Sequence, residues 1–80
     1  MDYQDIQKTI DTFPHYTFPI QADDEDGNKI VITEGEGPIY LMNEGKEVEL
    51  HYYKVYTYLP DNKVKVSTFY ENGAFTIEYQ

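Results

Sequence analysis

Glu47, Glu49 and His51 stand at i, i+2 and i+4 in "EVELH", so on an extended chain their side chains share one face. Two carboxylates beside an imidazole could orient the ring for acid–base work, or offer ligands to a metal. The same spacing also describes an ordinary solvated strand face. A second acidic stretch, "DDEDGNKIVITE", invites a calcium reading. A helix–loop–helix calcium site wants glycine at loop position six and glutamate at twelve. Counting from Asp23 puts Glu34 at twelve but Asn28 at six. Counting from Ala22 puts Gly27 at six but Thr33 at twelve. Pro19 precedes the loop and a strand pattern follows it, so neither flank is helical. At most, weak divalent binding by the four acids at 23–26 is expected.

The rest of the chemical inventory is thin. His15 has no evident partner, Ser67 is the only serine, and cysteine and arginine are absent. There is no glycine-rich phosphate loop. Nucleophilic catalysis lacks its parts. The expectation is a protein that is not an enzyme and carries no cofactor or metal.

Charge says more. Fifteen acids face six lysines, a net charge of −9. Phosphates and anionic membranes need cations opposite them, so neither nucleic acid nor a membrane surface is the expected partner. A basic protein surface is. The acids are also unevenly placed. Asp23, Asp24, Glu25, Asp26, Glu34, Glu36, Glu44, Glu47 and Glu49 all fall between residues 23 and 49, with only Lys29 and Lys46 among them. Residues 50–70 are net positive, with Lys54, Lys63 and Lys65 against Asp61.

The elements that must position these groups read as follows. Tyr3, Ile6, Ile10 and Phe13 keep the spacing of one helical stripe, Asp2 can cap it and Pro14 stops it. That predicts a helix over about 2–13. Period-two segments then predict strands at about 15–20, 29–34, 38–42, 47–59, 63–71 and 74–79. The turns between them are "DDEDGN", "GEGP", "NEGK", "PDN" (as a type I turn) and "ENGA". Turns this short join antiparallel neighbours. The expected fold is a single α+β domain, residues 1–80, with the helix on one face of a five- to six-stranded meander. In such a meander "DDEDGN" and "NEGK" share one end of the sheet and "GEGP" lies at the other. No basic segment leads into an apolar run at the N-terminus, and no run approaches the ~20 residues of a membrane helix. A cytoplasmic location is expected.

"HYYKVYTYL" holds four tyrosines between Tyr52 and Tyr58. Parity assigns Val48 and Leu50 to one face but Tyr53, Val55 and Leu59 to the other. A β-bulge near Tyr52–Tyr53 would reconcile them, sending all five to the helix and leaving Tyr56 and Tyr58 outward around Lys54. Outward tyrosines either stabilise the sheet as cross-strand pairs or anchor a partner. Taken together, the sequence favours a small acidic binding protein, of the sort phages and mobile elements encode, that blocks a nucleic-acid-handling enzyme by occupying its basic surface. Asp23, Asp24, Glu25, Asp26, Glu34, Glu36, Glu44 and Glu47 would supply attraction, and Tyr40, Tyr56 and Tyr58 desolvated contact. The alternative is a structural or assembly subunit that forms a homodimer through an open sheet face or edge.

Overall fold

The computed structural model describes every residue except Asn43, which falls in the "NEGK" turn expected above. Helix α1 (Tyr3–Thr12) is followed by β1 (Ile20–Asp23), β2 (Lys29–Leu41), β3 (Lys46–Leu59), β4 (Lys63–Tyr70) and β5 (Phe75–Tyr79). The five strands form one antiparallel sheet in the order β1-β2-β3-β4-β5. The fold is thus α+β, one short N-terminal helix and a five-stranded meander.

The helix begins with a reciprocal capping box. The Asp5 amide donates to Asp2 Oδ1 at 2.9 Å, and the Asp2 amide donates back to Asp5 Oδ2 at 3.0 Å. Ile6 is its one buried side chain, at 3% exposure, set among Ile20, Ile30, Ile32, Tyr53 and Val55. Tyr3, Ile10, Phe18 and Phe69 pack around that cluster. A ten-residue helix is marginal alone in water, so this docking is what keeps it folded.

Four expectations are corrected. The strand expected at 15–20 forms only after Pro19, as β1, because proline cannot donate to a ladder. The strands expected at 29–34 and 38–42 are one strand, β2, which runs straight through "GEGP". Gly35 lies opposite Tyr52 in the β2–β3 register, and an added Cβ on Gly35 would meet the Tyr52 hydroxyl oxygen at 2.6 Å. The glycine gives the ring a place to lie across the neighbouring strand; it does not turn the chain. Third, β3 carries no bulge. Its pairing with β2 runs unbroken from Lys29↔Tyr58 to Leu41↔Lys46. Val48 and Leu50 therefore point away from the helix, on the same side as Tyr52, Lys54, Tyr56 and Tyr58. The "PDN" turn also differs from type I, since Asp61 and Asn62 have φ of 65° and 60°. These two residue types tolerate that left-handed geometry best after glycine.

The strands are unequal, and this shapes the molecule. β1 pairs with β2 only as far as Ile32, and β4 reaches β3 only at Tyr52. Where both neighbours have ended, β2 and β3 continue as a two-stranded arm, residues 36–41 paired with 46–51, projecting about 20 Å at strand rise. Pro38 sits in this arm without breaking it. The Glu71 amide donates to the His51 carbonyl, which places the odd residues of β3 in the β4 ladder and, by alternation, turns the Pro38 nitrogen to the arm's free edge. The radius of gyration, 13.6 Å, exceeds the roughly 12 Å of a compact 80-residue domain.

Ile6→Ala should cost about 2–4 kcal/mol. Urea unfolding should show a lower midpoint with an unchanged slope, since a cavity alters stability without altering the surface exposed.

Candidate functional site: the acidic arm and the tyrosine face

The β2–β3 register decides which side of the arm each residue occupies. Glu34 stands opposite Tyr53, Glu36 opposite His51, Pro38 opposite Glu49 and Tyr40 opposite Glu47. Directly paired residues share a face, so Glu34, Glu36, Glu47 and Glu49 all lie on the helix side of the sheet. The helix ends its coverage at His51, leaving the rest of this face open. The opposite side of the arm carries Gly35, Gly37, Ile39 and Leu41 from β2, and Val48 and Leu50 from β3. The arm is therefore amphipathic, with carboxylates on one face and aliphatic groups on the other. Glu44 stands at its tip, 3.4 Å from Lys46, both exposed.

At the root of the arm three polar side chains form a chain. The Tyr3 hydroxyl lies 2.8 Å from His51 Nδ1, and His51 Nε2 lies 3.0 Å from Glu34 Oε2. The consistent arrangement has Tyr3 donating to Nδ1 and the Nε2 hydrogen directed at the carboxylate. Glu71 Oε1 accepts from the His51 amide at 3.1 Å. Both ring nitrogens are thus occupied, and Glu47 and Glu49 take no part. The chain fastens the helix to the root of the arm. Beside it the Tyr53 hydroxyl donates to Gln7 Oε1 at 2.8 Å. Burial pushes the Tyr53 phenol up to about 12, with the nearby Tyr3 and Glu34 adding to the rise. Burial also raises Tyr3, helped by Glu71.

The loop acids are elsewhere. "DDEDGN" and "NEGK" are successive turns once β2 is continuous, so they sit at opposite ends of the sheet and do not share one. "GEGP" is at neither end. Asp24 is used structurally: its Oδ1 accepts from the amides of Asp26 and Asn28 at 2.9 and 2.8 Å. Asp23 lies 4.0 Å from Lys29, and Glu25 and Asp26 are exposed in the turn. The expected acidic residues thus form two groups. Asp23, Asp24, Glu25 and Asp26 make one; Glu34, Glu36, Glu44 and Glu47 make the other, at the root of the arm and along it. Among the described residues, no three histidine or acidic side chains converge as metal ligands.

The tyrosines also divide. Tyr56 and Tyr58 lie on the open face, Tyr58 half exposed. Tyr40 is exposed on the other face, opposite Glu47. The open face includes two tyrosines that the sequence reading left aside. Tyr52 meets Tyr70 edge-on at 5.9 Å, and Lys54 Nζ lies 5.8 Å from the Tyr52 ring centre. Val66 and Thr68, on this uncovered face, are still only 4% and 5% exposed. Across the ladder they are flanked by Tyr56 and Glu78, and by Lys54 and Thr76. In a single layer, only side chains of the same face can cover them. Glu49, Tyr52 and Tyr70 were the site residues missed. Continuity of β2 through "GEGP" fixes the β2–β3 register and so the faces of Glu49 and Tyr52; Tyr70 follows from the β3–β4 register.

No family model, no curated protein and no solved structure matches this chain. Among the described residues, no helix is long and apolar enough to cross a membrane.

Two outcomes follow from the geometry. Tyr53 has a folded value raised from 10.0, so its contribution to stability is fully present below pH 10 and is lost as pH rises towards about 12. Thermal melts should be flat up to the lower value and fall through that window, and Tyr53→Phe should flatten the fall relative to its own neutral-pH stability. Separately, Gly35→Val should evict the Tyr52 ring, removing its contact with Tyr70 at a cost of roughly 0.5–1.5 kcal/mol beyond any lost area. The check is a changed near-ultraviolet dichroism together with a lower urea midpoint.

Proposed function

We propose that this protein works by binding, through the β2–β3 arm, to a basic protein surface, and that a nucleic-acid-handling enzyme is the target whose groove best fits. The observation that carries the reading is the placement of Glu36, Glu47 and Glu49 on one face of a projecting two-stranded arm, with Glu34 on the same face at its root, backed by aliphatic groups on the other face. Four carboxylates at strand spacing offer a row of negative charge to a surface built to receive phosphates. Ile39, Leu41, Val48 and Leu50 offer apolar area that water would rather leave. The carboxylates steer encounter and the apolar face slows release. The action is steric and electrostatic, the kind of blockade that a phage or mobile element would direct at a host enzyme. The loop at 23–26 is secondary in this reading, being at the far end and partly spent on its own turn.

Glu36, Glu47 and Glu49 can be changed together to glutamine without touching the core, since all three are exposed. The protein should lower polynucleotide cleavage or synthesis in some fraction of a host lysate, and excess DNA should compete with it. The triple variant should associate roughly ten- to a hundredfold more slowly at low salt, with a flatter salt dependence. An unaffected lysate, or a variant as potent as the parent, overturns the proposal.

A further inference from the structure

We infer that the outer edge of β5 is the self-association surface of this protein, and that it pairs antiparallel with β5 of a second copy about Ile77. A free strand edge presents a row of unpaired N–H and C=O groups, and proteins blunt such edges with proline, charge or brevity. Four free edges can be compared. β1 is four residues long. The arm's β2 edge carries Pro38, and its β3 edge carries Lys46, Glu47 and Glu49. β5, "FTIEY", has no proline and no lysine, and Glu78 is its single charge. Among the described residues it is the one edge left unprotected.

The ladder shows which groups are free there. Val64 and Gln80 exchange both backbone bonds, and the Tyr70 amide donates to the Ala74 carbonyl. By antiparallel alternation Thr76 and Glu78 also bond inward to β4, and the N–H and C=O groups of Phe75, Ile77 and Tyr79 face outward. A two-fold axis through Ile77 sets Ile77 against Ile77 and Phe75 against Tyr79 of the second copy. All three outward residues then form hydrogen-bonded pairs, six bonds in total by that alternation. The side chains agree with this register. Phe75, Ile77 and Tyr79 lie on the helix side of the sheet but beyond the helix's reach, at 62%, 46% and 67% exposure. Phe75 and Ile77 border a groove of ≈ 350 Å³ whose apolar walls include Met1, Val55 and Phe69, with Asp2 and Lys65 at its margin. Pairing brings two Phe75–Tyr79 contacts and one Ile77–Ile77 contact together on that side. Glu78 falls opposite Thr76 of the second copy, so no like charges meet.

The symmetry is closed, because each copy's unprotected edge is consumed by the other. The product is a ten-stranded sheet with both arms free at opposite ends. The contact is small, so the dimer forms reversibly with concentration.

Sedimentation from dilute to concentrated protein should show a monomer becoming a dimer. Amide exchange read by NMR on the same samples gives a sharper test. The amides of Phe75, Ile77 and Tyr79 should slow by roughly tenfold or more with concentration, while those of Thr76, Glu78 and Gln80 stay protected throughout. Ile77→Lys should stay monomeric with the Thr76 and Glu78 amides still protected, showing that the hairpin survives. A monomer at every concentration with those three amides unprotected overturns the inference. So does a dimer whose added protection falls on residues 33–41, on 46–51 or on the open face.

Discussion

A ten-residue helix cannot cover a five-stranded sheet, and most features of this molecule follow from that mismatch. The helix lies over β1, β2 and the middle of β3, where Ile6 meets Ile30, Ile32, Tyr53 and Val55. It leaves bare β5 on its own side, the whole arm beyond His51, and the entire opposite face. The accessible surface, 5870 Å², exceeds the roughly 5,000 Å² typical of a folded monomer of 9.4 kDa. The 17 Å short dimension has the same cause: one sheet and one helix, with nothing beneath. With so few buried side chains, the polar fastening at Tyr3, His51 and Glu34 carries weight that a larger core would make redundant. It joins the helix to the strand from which the arm projects, so the helix is held at the one place where the arm would otherwise lever it away.

The charge pattern depends on register as much as on composition. In β2 the glutamates at 34 and 36 are even-numbered; in β3 those at 47 and 49 are odd-numbered. The observed register pairs even with odd, so all four fall on one face. A slip of one residue would send Glu47 and Glu49 to the glycine side and bring Val48 and Leu50 against the helix side. Tyr52 guards against such a slip. Its ring lies over Gly35 and within reach of Gly37, and a register shifted by one residue would set it against the Glu34 or Glu36 side chain instead. A single aromatic–glycine contact thereby holds the acidic and apolar faces of the arm apart.

That contact also marks where reading the sequence stops. The helix, its cap, the Asn72–Gly73 hairpin and the antiparallel class were legible because each rests on local signals: a stripe, a capping carboxylate, a turn pair. "GEGP" was not, because glycine and proline are locally turn residues and their tolerance here is supplied from outside. Tyr52 on the neighbouring strand fills the space above Gly35, and the absence of a further strand beside Pro38 spares its missing N–H. One misread turn then propagated. It made two strands of one and moved "NEGK" to the wrong end. It also hid the arm, whose length comes from the fusion. The bulge had a similar origin. Val48 and Leu50 are aliphatic, which argued for the helix side, yet aliphatic character says only that a residue avoids water, and here an open face shared with tyrosines serves instead. The acids of the candidate site were visible as residues but not as a group, since their common face exists only once the strands are paired.

The uncovered surfaces are not alike, and their differences constrain what each can do. The arm's two edges are guarded by Pro38 and by charge, so its faces, not its backbone, are what a partner can grip. The open face is partly self-covered: Val66 and Thr68 are as buried as the core although, among the described residues, no element lies over them. Its tyrosines thus contribute to the stability of the sheet before any partner arrives, and Lys54 near the Tyr52 ring sets a cation in their midst, which disfavours packing that face against a second copy of itself. β5 is the reverse case, a bare backbone edge with apolar side chains alternating above it and no charge placed to repel its own image. The two proposals therefore use different parts of one thin sheet, binding to a partner resting on side chains that share a face and self-association on a main chain left without a neighbour.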